Sequence, residues 1–215
     1  MKDIFEMMFE RCENGKGTVL VTIVGNVGSA PRSSGASMIV GENGRIMGTI
    51  GGGMLEFRAT EIARGCLETA KGEFRQYRLT KEETATLGMV CGGQVDILFT
   101  YVAPTEKNKS ALKTAVELLS QFKTLWILLP FSGIELGFYN EDKGLFGIDI
   151  ELNSSGKELI DHTSSVIETS IGKCYVQKLI NSGRVYIFGG GHLAQELVPL
   201  LAHLGFRCVV IDDRA

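Results

Sequence analysis

Long apolar runs are missing from this chain of 215 residues. No stretch approaches the ~20 consecutive apolar residues that a membrane-spanning helix needs. The first residues, MKDIFEMMFERCE, carry acidic side chains where a signal peptide carries a basic segment and then an apolar one. Both absences predict a cytoplasmic chain without membrane attachment. Charge of one sign is equally scarce, since 22 Lys and Arg face 25 Asp and Glu for a net charge of −3. The basic residues are scattered, which leaves no electrostatic footprint for nucleic acid or anionic lipid. A small molecule or another protein is the expected ligand. The five cysteines, Cys12, Cys66, Cys91, Cys174 and Cys208, form an odd set without a C-x-x-C pair, against both a disulfide framework and a zinc site. No nucleophile elbow, Walker loop or histidine-rich cluster is present. Core material is ample: 44% of residues are hydrophobic and 22% charged, and mean hydropathy is +0.12, as in a globular chain of one or two domains.

Ile4, Phe5, Met8, Phe9 and Cys12 share one helical face, and Asn14-Gly15 ends that helix. The β-branched run 18–24 predicts a buried strand that leads into a glycine-rich loop, Gly28 to Gly35. Ser37–Val40 and Arg45–Ile50 flank Gly41-Glu42-Asn43-Gly44 and predict a hairpin. After Gly51-Gly52-Gly53 the period changes to 3.6, with Leu55, Ala59, Ile62, Ala63, Cys66, Leu67 and Ala70 on one face of a helix. Strands at 73–79 and 94–102 enclose a polar loop that ends in Cys91-Gly92-Gly93. The polar stretch 103–109 predicts a connection, followed by a helix near 110–122, strands at 124–130 and 134–139, a turn at 141–144, a helix near 157–168 and a strand at 173–179.

The last 32 residues form a βαβ pattern, with strands at 184–188 and 207–212 around a helix at 191–204. The turn Gly189-Gly190-Gly191-His192-Leu193-Ala194 fits G-x-G-x-x-A, and Asp212 stands at the tip of the next strand. Glycines there let backbone amides approach a pyrophosphate at the helix start, and an acidic residue about 20 positions on accepts ribose hydroxyls. A tight turn without ligand is the competing reading. Asp213 competes for the ribose, Arg214 for a phosphate or a salt bridge, and His192 reads as a capping residue. Two parallel strands cannot bury both faces, so the unit is either a piece of a larger domain or borrows surface elsewhere. Each large apolar side chain contributes about 1.5–3 kcal/mol on burial; packing on the first domain or pairing with a second copy is therefore expected, with a homodimer as the expected state. The fold class is α/β: a mixed-sheet domain at 1–180, with a sub-boundary near 103–110, and the start of a Rossmann-like domain at 181–215.

The remaining site candidates lie in three glycine-rich turns at strand ends, where α/β proteins place ligands. Free amides at Gly51, Gly52 and Gly53 suit an anion at the helix start, and Glu56 reads either as part of that site or as a cap complementing the helix dipole. Arg32 is a bidentate phosphate ligand or a solvated loop residue. Cys91, beside Gly92 and Gly93, is either an activated thiol open to a soft metal or to persulfide transfer, or an inert core thiol.

The segments Gly28-Ser29-Ala30-Pro31-Arg32, Gly48-Thr49-Ile50-Gly51-Gly52-Gly53-Met54-Leu55-Glu56, Gly88-Met89-Val90-Cys91-Gly92-Gly93 and Phe188-Gly189-Gly190-Gly191-His192 through Asp212-Asp213-Arg214 resemble, in order, those of the XdhC/CoxI family of xanthine dehydrogenase accessory factors. The resemblance implies an XdhC-like N-terminal domain and a C-terminal Rossmann domain. It further implies binding of molybdenum cofactor (molybdopterin), help with its sulfuration by a cysteine desulfurase, and delivery to an apo-molybdoenzyme of the xanthine dehydrogenase type. Cys91 matches the cysteine of the family's Cys-Gly-Gly motif, the contact to molybdenum or sulfur, and the Rossmann glycines match a nucleotide site for NAD(P). Segment 104–180 matches loosely and receives no functional residue. An NAD(P)-dependent oxidoreductase is the alternative function, although no acid/base pair accompanies the fingerprint.

Overall fold

The computed structural model describes residues 1–28, 33–79, 93–151, 164–179 and 183–214. In the run from Thr18, side chains alternate between two clusters: Val19, Val21 and Ile23 enter one, Leu20 and Val24 the other. A strand that is apolar on both faces belongs inside a sheet, and β1 (Thr18–Gly28) lies between β2 (Ser37–Gly41) and β5 (Gly93–Val102). With β3 (Gly44–Gly48) and β4 (Glu73–Leu79) at the edges, the order is β3-β2-β1-β5-β4 with antiparallel pairing. Helix α2 (Gly53–Thr69) covers one face with Leu55, Ala59, Ala63 and Cys66. Helix α1 (Lys2–Glu13) turns Ile4, Phe5, Met8 and Cys12 into the cluster on the other face.

A second antiparallel sheet contains β6 (Leu125–Pro130), β7 (Gly137–Asn140), β8 (Gly144–Phe146), β9 (Ser164–Thr169) and β10 (Gly172–Leu179), in the order β8-β7-β6-β10-β9. One core joins the sheets: Leu20 and Leu98 of the first meet Ile127, Phe138 and Tyr175 of the second, along with Phe5 and Met8 of α1 and Leu119 of α3 (Glu106–Ser120). Phe5 and Phe138 pack edge to face, their ring centroids 5.2 Å apart. The fold is mixed α/β, as the patterning predicts. No helix among the described residues is long and apolar enough to cross a membrane.

Two elements depart from expectation. Helix α3 begins at Glu106, inside the stretch read as a connection, because Thr105 Oγ1 accepts the Asn108 amide at 3.2 Å and caps it. Residues 164–168, expected in a helix near 157–168, instead belong to β9. Val166, Ile167 and Thr169 are β-branched, and the turn at Ser170-Ile171 folds the strand back onto β10. Residues 157–163 lie outside the described residues.

The C-terminal unit is as expected: β11 (Arg184–Phe188) and β12 (Arg207–Ile211) pair in parallel around α4 (His192–His203). Its apolar faces stay open, with Phe188 80% and Leu193 84% exposed and Ala194 the buried residue of α4. Toward the preceding part of the chain, the Arg207 guanidinium lies over the Phe122 ring at 5.2 Å.

Candidate functional site

The strands bearing the glycine motifs all run toward, or begin at, the same end of the first sheet. Gly28, the last residue of β1, is paired with Gly93, the first of β5, and Gly93 also pairs with Leu79 at the end of β4. On the other side Thr22 pairs with Ser37, and Met38 with Gly48 at the end of β3, so β3 runs the same way as β1 but ends level with Val21, seven residues before Gly28. Antiparallel order makes this convergence possible, since alternate strands finish where their neighbours begin. Arg32, Cys91 and Gly92 lie outside the described residues. The segments that carry them leave from and return to these paired strand ends.

At the start of α2 the turn is closed from within. The Glu56 carboxylate accepts the Thr49 hydroxyl, the Ile50 amide at 3.1 Å and the Gly52 amide at 3.1 Å, while Arg45 Nε lies 3.2 Å from its other oxygen. Partial burial pushes the Glu56 carboxyl up, but the Thr49, Gly52 and Ile50 bonds and the Arg45 charge outweigh it and hold the group below its ordinary value. Of the three amides expected to suit an external anion, that of Gly52 is thus already held by an internal one, and that of Gly51 donates to Thr49 Oγ1 at 3.1 Å. Beside them, side chains added at Gly52 and Gly53 would meet nothing within 4 Å, which leaves bare backbone for a flat polar ligand to approach. Arg45 and Thr49 were not legible as partners of Glu56: a capping box spaces its residues by three, whereas Thr49 precedes Glu56 by seven.

The C-terminal turn is also engaged. Gly189 donates its amide to Ile211 at 2.8 Å, and Gly190 donates to Asp212 Oδ2. Arg214 grips the same carboxylate in bidentate fashion, both nitrogens at 2.8 Å. The Arg214 guanidinium, then the Gly190 and Arg214 amides, hold the Asp212 carboxyl well below the usual range. Asp212 therefore has to exchange these partners before it can bind ribose. Gly191 caps α4 without a side-chain bond, and His192 is exposed at its first position.

Three thiols are shielded from solvent. Cys12, Cys66 and Cys174 are buried, and burial pushes Cys66 up to about 11 and Cys174 up to about 12. No group of three metal-ligating side chains occurs among the described residues.

Residues 12–78 match the model of the XdhC and CoxI family. A Bacillus subtilis protein named as a probable xanthine dehydrogenase subunit is 25% identical over 223 residues, which takes in 100% of this chain and 65% of that protein. The molybdenum cofactor insertion chaperone PaoD of Escherichia coli is 43% identical over 58 residues, or 27% of this chain and 18% of that one. A crystal structure described as a xanthine dehydrogenase from Bacillus halodurans superposes with a TM-score of 0.73 at 25% identity, covering 98% of this chain and 62% of the other. The chain thus spans less than two thirds of the length of each of these relatives. Residues 12–78, which hold the first two glycine motifs, are thus similar to the XdhC and CoxI family, and nearly the whole chain shares the fold of the Bacillus halodurans protein.

Proposed function

We propose that this chain binds molybdenum cofactor as cargo, assists its sulfuration with a cysteine desulfurase, and delivers it to an apo-molybdoenzyme of the xanthine dehydrogenase type in the cytoplasm, with no turnover of its own. The carrying observation is the pairing of Gly28 with Gly93 at one sheet end, toward which the strand ending at Gly48 also runs, with Gly28 and Gly48 within the matched segment. The likeness to a protein named a molybdenum cofactor insertion chaperone adds support. The open backbone at Gly52 and Gly53 fits a broad polar ligand. In this reading Arg32 takes the cofactor's phosphate, Cys91 beside Gly92 and Gly93 offers a soft thiolate to molybdenum or sulfur, and Glu56 keeps the Gly51–Gly53 turn in shape. Protein purified from molybdate-fed cells should carry molybdenum and a fluorescent oxidised pterin in near-equal amounts; absence of both rejects the proposal. Cys91→Ser should leave the circular dichroism and melting midpoint unchanged and lower the molybdenum content at least roughly tenfold, the cost of one lost metal or sulfur contact. Insoluble Cys91→Ser protein would instead mark a core thiol.

The parallel β11-α4-β12 unit supports a second ligand, NAD(P), at Gly189, Gly191, His192 and Asp212, and with it the alternative of an oxidoreductase. Among the described residues this sheet has two strands, and Asp212 is held by Gly190 and Arg214. Calorimetry with NAD or NADP on this chain should therefore show weak binding or none, and submicromolar affinity would favour the oxidoreductase. The exposed Phe188, Leu193 and Leu200 make a homodimer through this unit the expected state. Light scattering that finds a stable monomer at micromolar concentration would reject it.

A further inference from the structure

Tyr175 and Gln177 stand two residues apart on β10, hence on one face of the strand, and both meet the exit of the Gly28–Gly35 loop. The Tyr175 hydroxyl lies 3.0 Å from Ser34 Oγ, a residue 141 positions away, and also bonds Ser164 at the start of β9. The Tyr175 side chain is 1% exposed and belongs to the core that both sheets share, so its hydroxyl is a stationary anchor. Gln177 lies against Gly35: a Cβ there would sit 2.3 Å from Gln177 Nε2, and the backbone is left-handed at φ +93°. The Gln177 carbonyl is buried without a hydrogen-bond partner among the described residues. The exit itself is tied to β1, Gly35 donating to the Ile23 carbonyl at 2.8 Å and Ile23 to that of Ala36 at 2.9 Å. Without the phenol, Ser34 Oγ keeps only a long bond to the Ile23 carbonyl at 3.4 Å.

We propose that Tyr175 is a positioning residue for the cofactor site, holding the exit of the Arg32-bearing loop through Ser34. This rests on the reading that the loop takes part in binding molybdenum cofactor. It assigns a role to the second sheet, where the sequence marks no functional residue, and makes β10 the support of Ser34 and Gly35.

Tyr175→Phe keeps the ring and its packing and removes the hydroxyl alone. Two quantities are measured on the full chain: amide hydrogen exchange at Gly35 and Ala36, and affinity for purified molybdenum cofactor. Exchange at these amides should quicken roughly fivefold to tenfold, the effect of one ordinary hydrogen bond, with core amides such as Val21 unchanged. Affinity should weaken by a similar factor. Ser34→Ala should do the same, and the double variant should be no worse than either single one. Unchanged exchange at Gly35 in Tyr175→Phe overturns the proposal, as does quickened exchange with full cofactor affinity. A wild-type chain that takes up no cofactor overturns the functional reading and this assignment with it, whereas uptake by wild type and equal uptake by Tyr175→Phe overturns this assignment alone.

Discussion

Replacing Gly72 by alanine should lower the unfolding free energy by about 3 kcal/mol or more, at the upper end of what overpacking costs. A Cβ at Gly72 would lie 1.9 Å from the Gly133 carbonyl oxygen and 2.3 Å from that of Phe99. Both are backbone atoms, so no rotamer change relieves the clash. Gly133 cannot retreat either, since its carbonyl accepts the Tyr101 amide at 2.7 Å and thereby extends the β5 ladder where β4 stops. The Phe74 and Phe131 rings, with centroids 4.9 Å apart, close the same junction. Through it the turn after β6 docks the second sheet onto the edge of the first, and forcing it apart should loosen both. Gly65→Ala is the control: it lies inside α2 with nothing within 4 Å of a new Cβ, so it should stabilise by about 0.5–1 kcal/mol through helix propensity. Urea unfolding of the two variants checks the pair, and equal midpoints would refute the close-approach argument.

Glu56→Ala should cost about 2–3 kcal/mol, because it strips an ionised acceptor from the Ile50 and Gly52 amides and the Thr49 hydroxyl together. The Glu56 side chain is 13% exposed, so water replaces those bonds only in part. Arg45, about half exposed, loses its partner at little expense. The same carboxylate makes stability depend on pH. Its folded-state pKa lies below the unfolded value, so its contribution is complete above the ordinary carboxylate range and is lost as pH falls through the depressed folded pKa. Glu56→Gln keeps an acceptor oxygen and has no charge to titrate. The stability difference between wild type and Glu56→Gln should be greatest near neutral pH and shrink in acid. A difference that stays constant down to about pH 3, below the ordinary carboxylate range, would show that the charge is not what closes the turn.

Much of the local structure follows from residue order alone. The apolar spacing of Ile4, Phe5, Met8 and Cys12, and of Leu55, Ala59, Ala63 and Cys66, marks two helices that the structure contains, since 3.6-residue periodicity is a property of each segment by itself. The β-branched run from Thr18 likewise announces a buried strand, and the glycine turn between Phe188 and His192 announces a parallel βαβ unit. The motifs behind the family resemblance are contiguous in the chain, which is why they could be read. Tertiary structure decided which strands pair, and hence that Gly28 and Gly93 stand opposite each other at one sheet end. It placed Ser164–Thr169 in a strand, where β10 supplies the partner that an amphipathic pattern alone does not reveal. It turned Glu56 onto Thr49 and Arg45, and it brought Tyr175 to Ser34 and Gly72 to Gly133. The last two contacts join residues far apart in the chain, and their partners are chosen by which faces bury together.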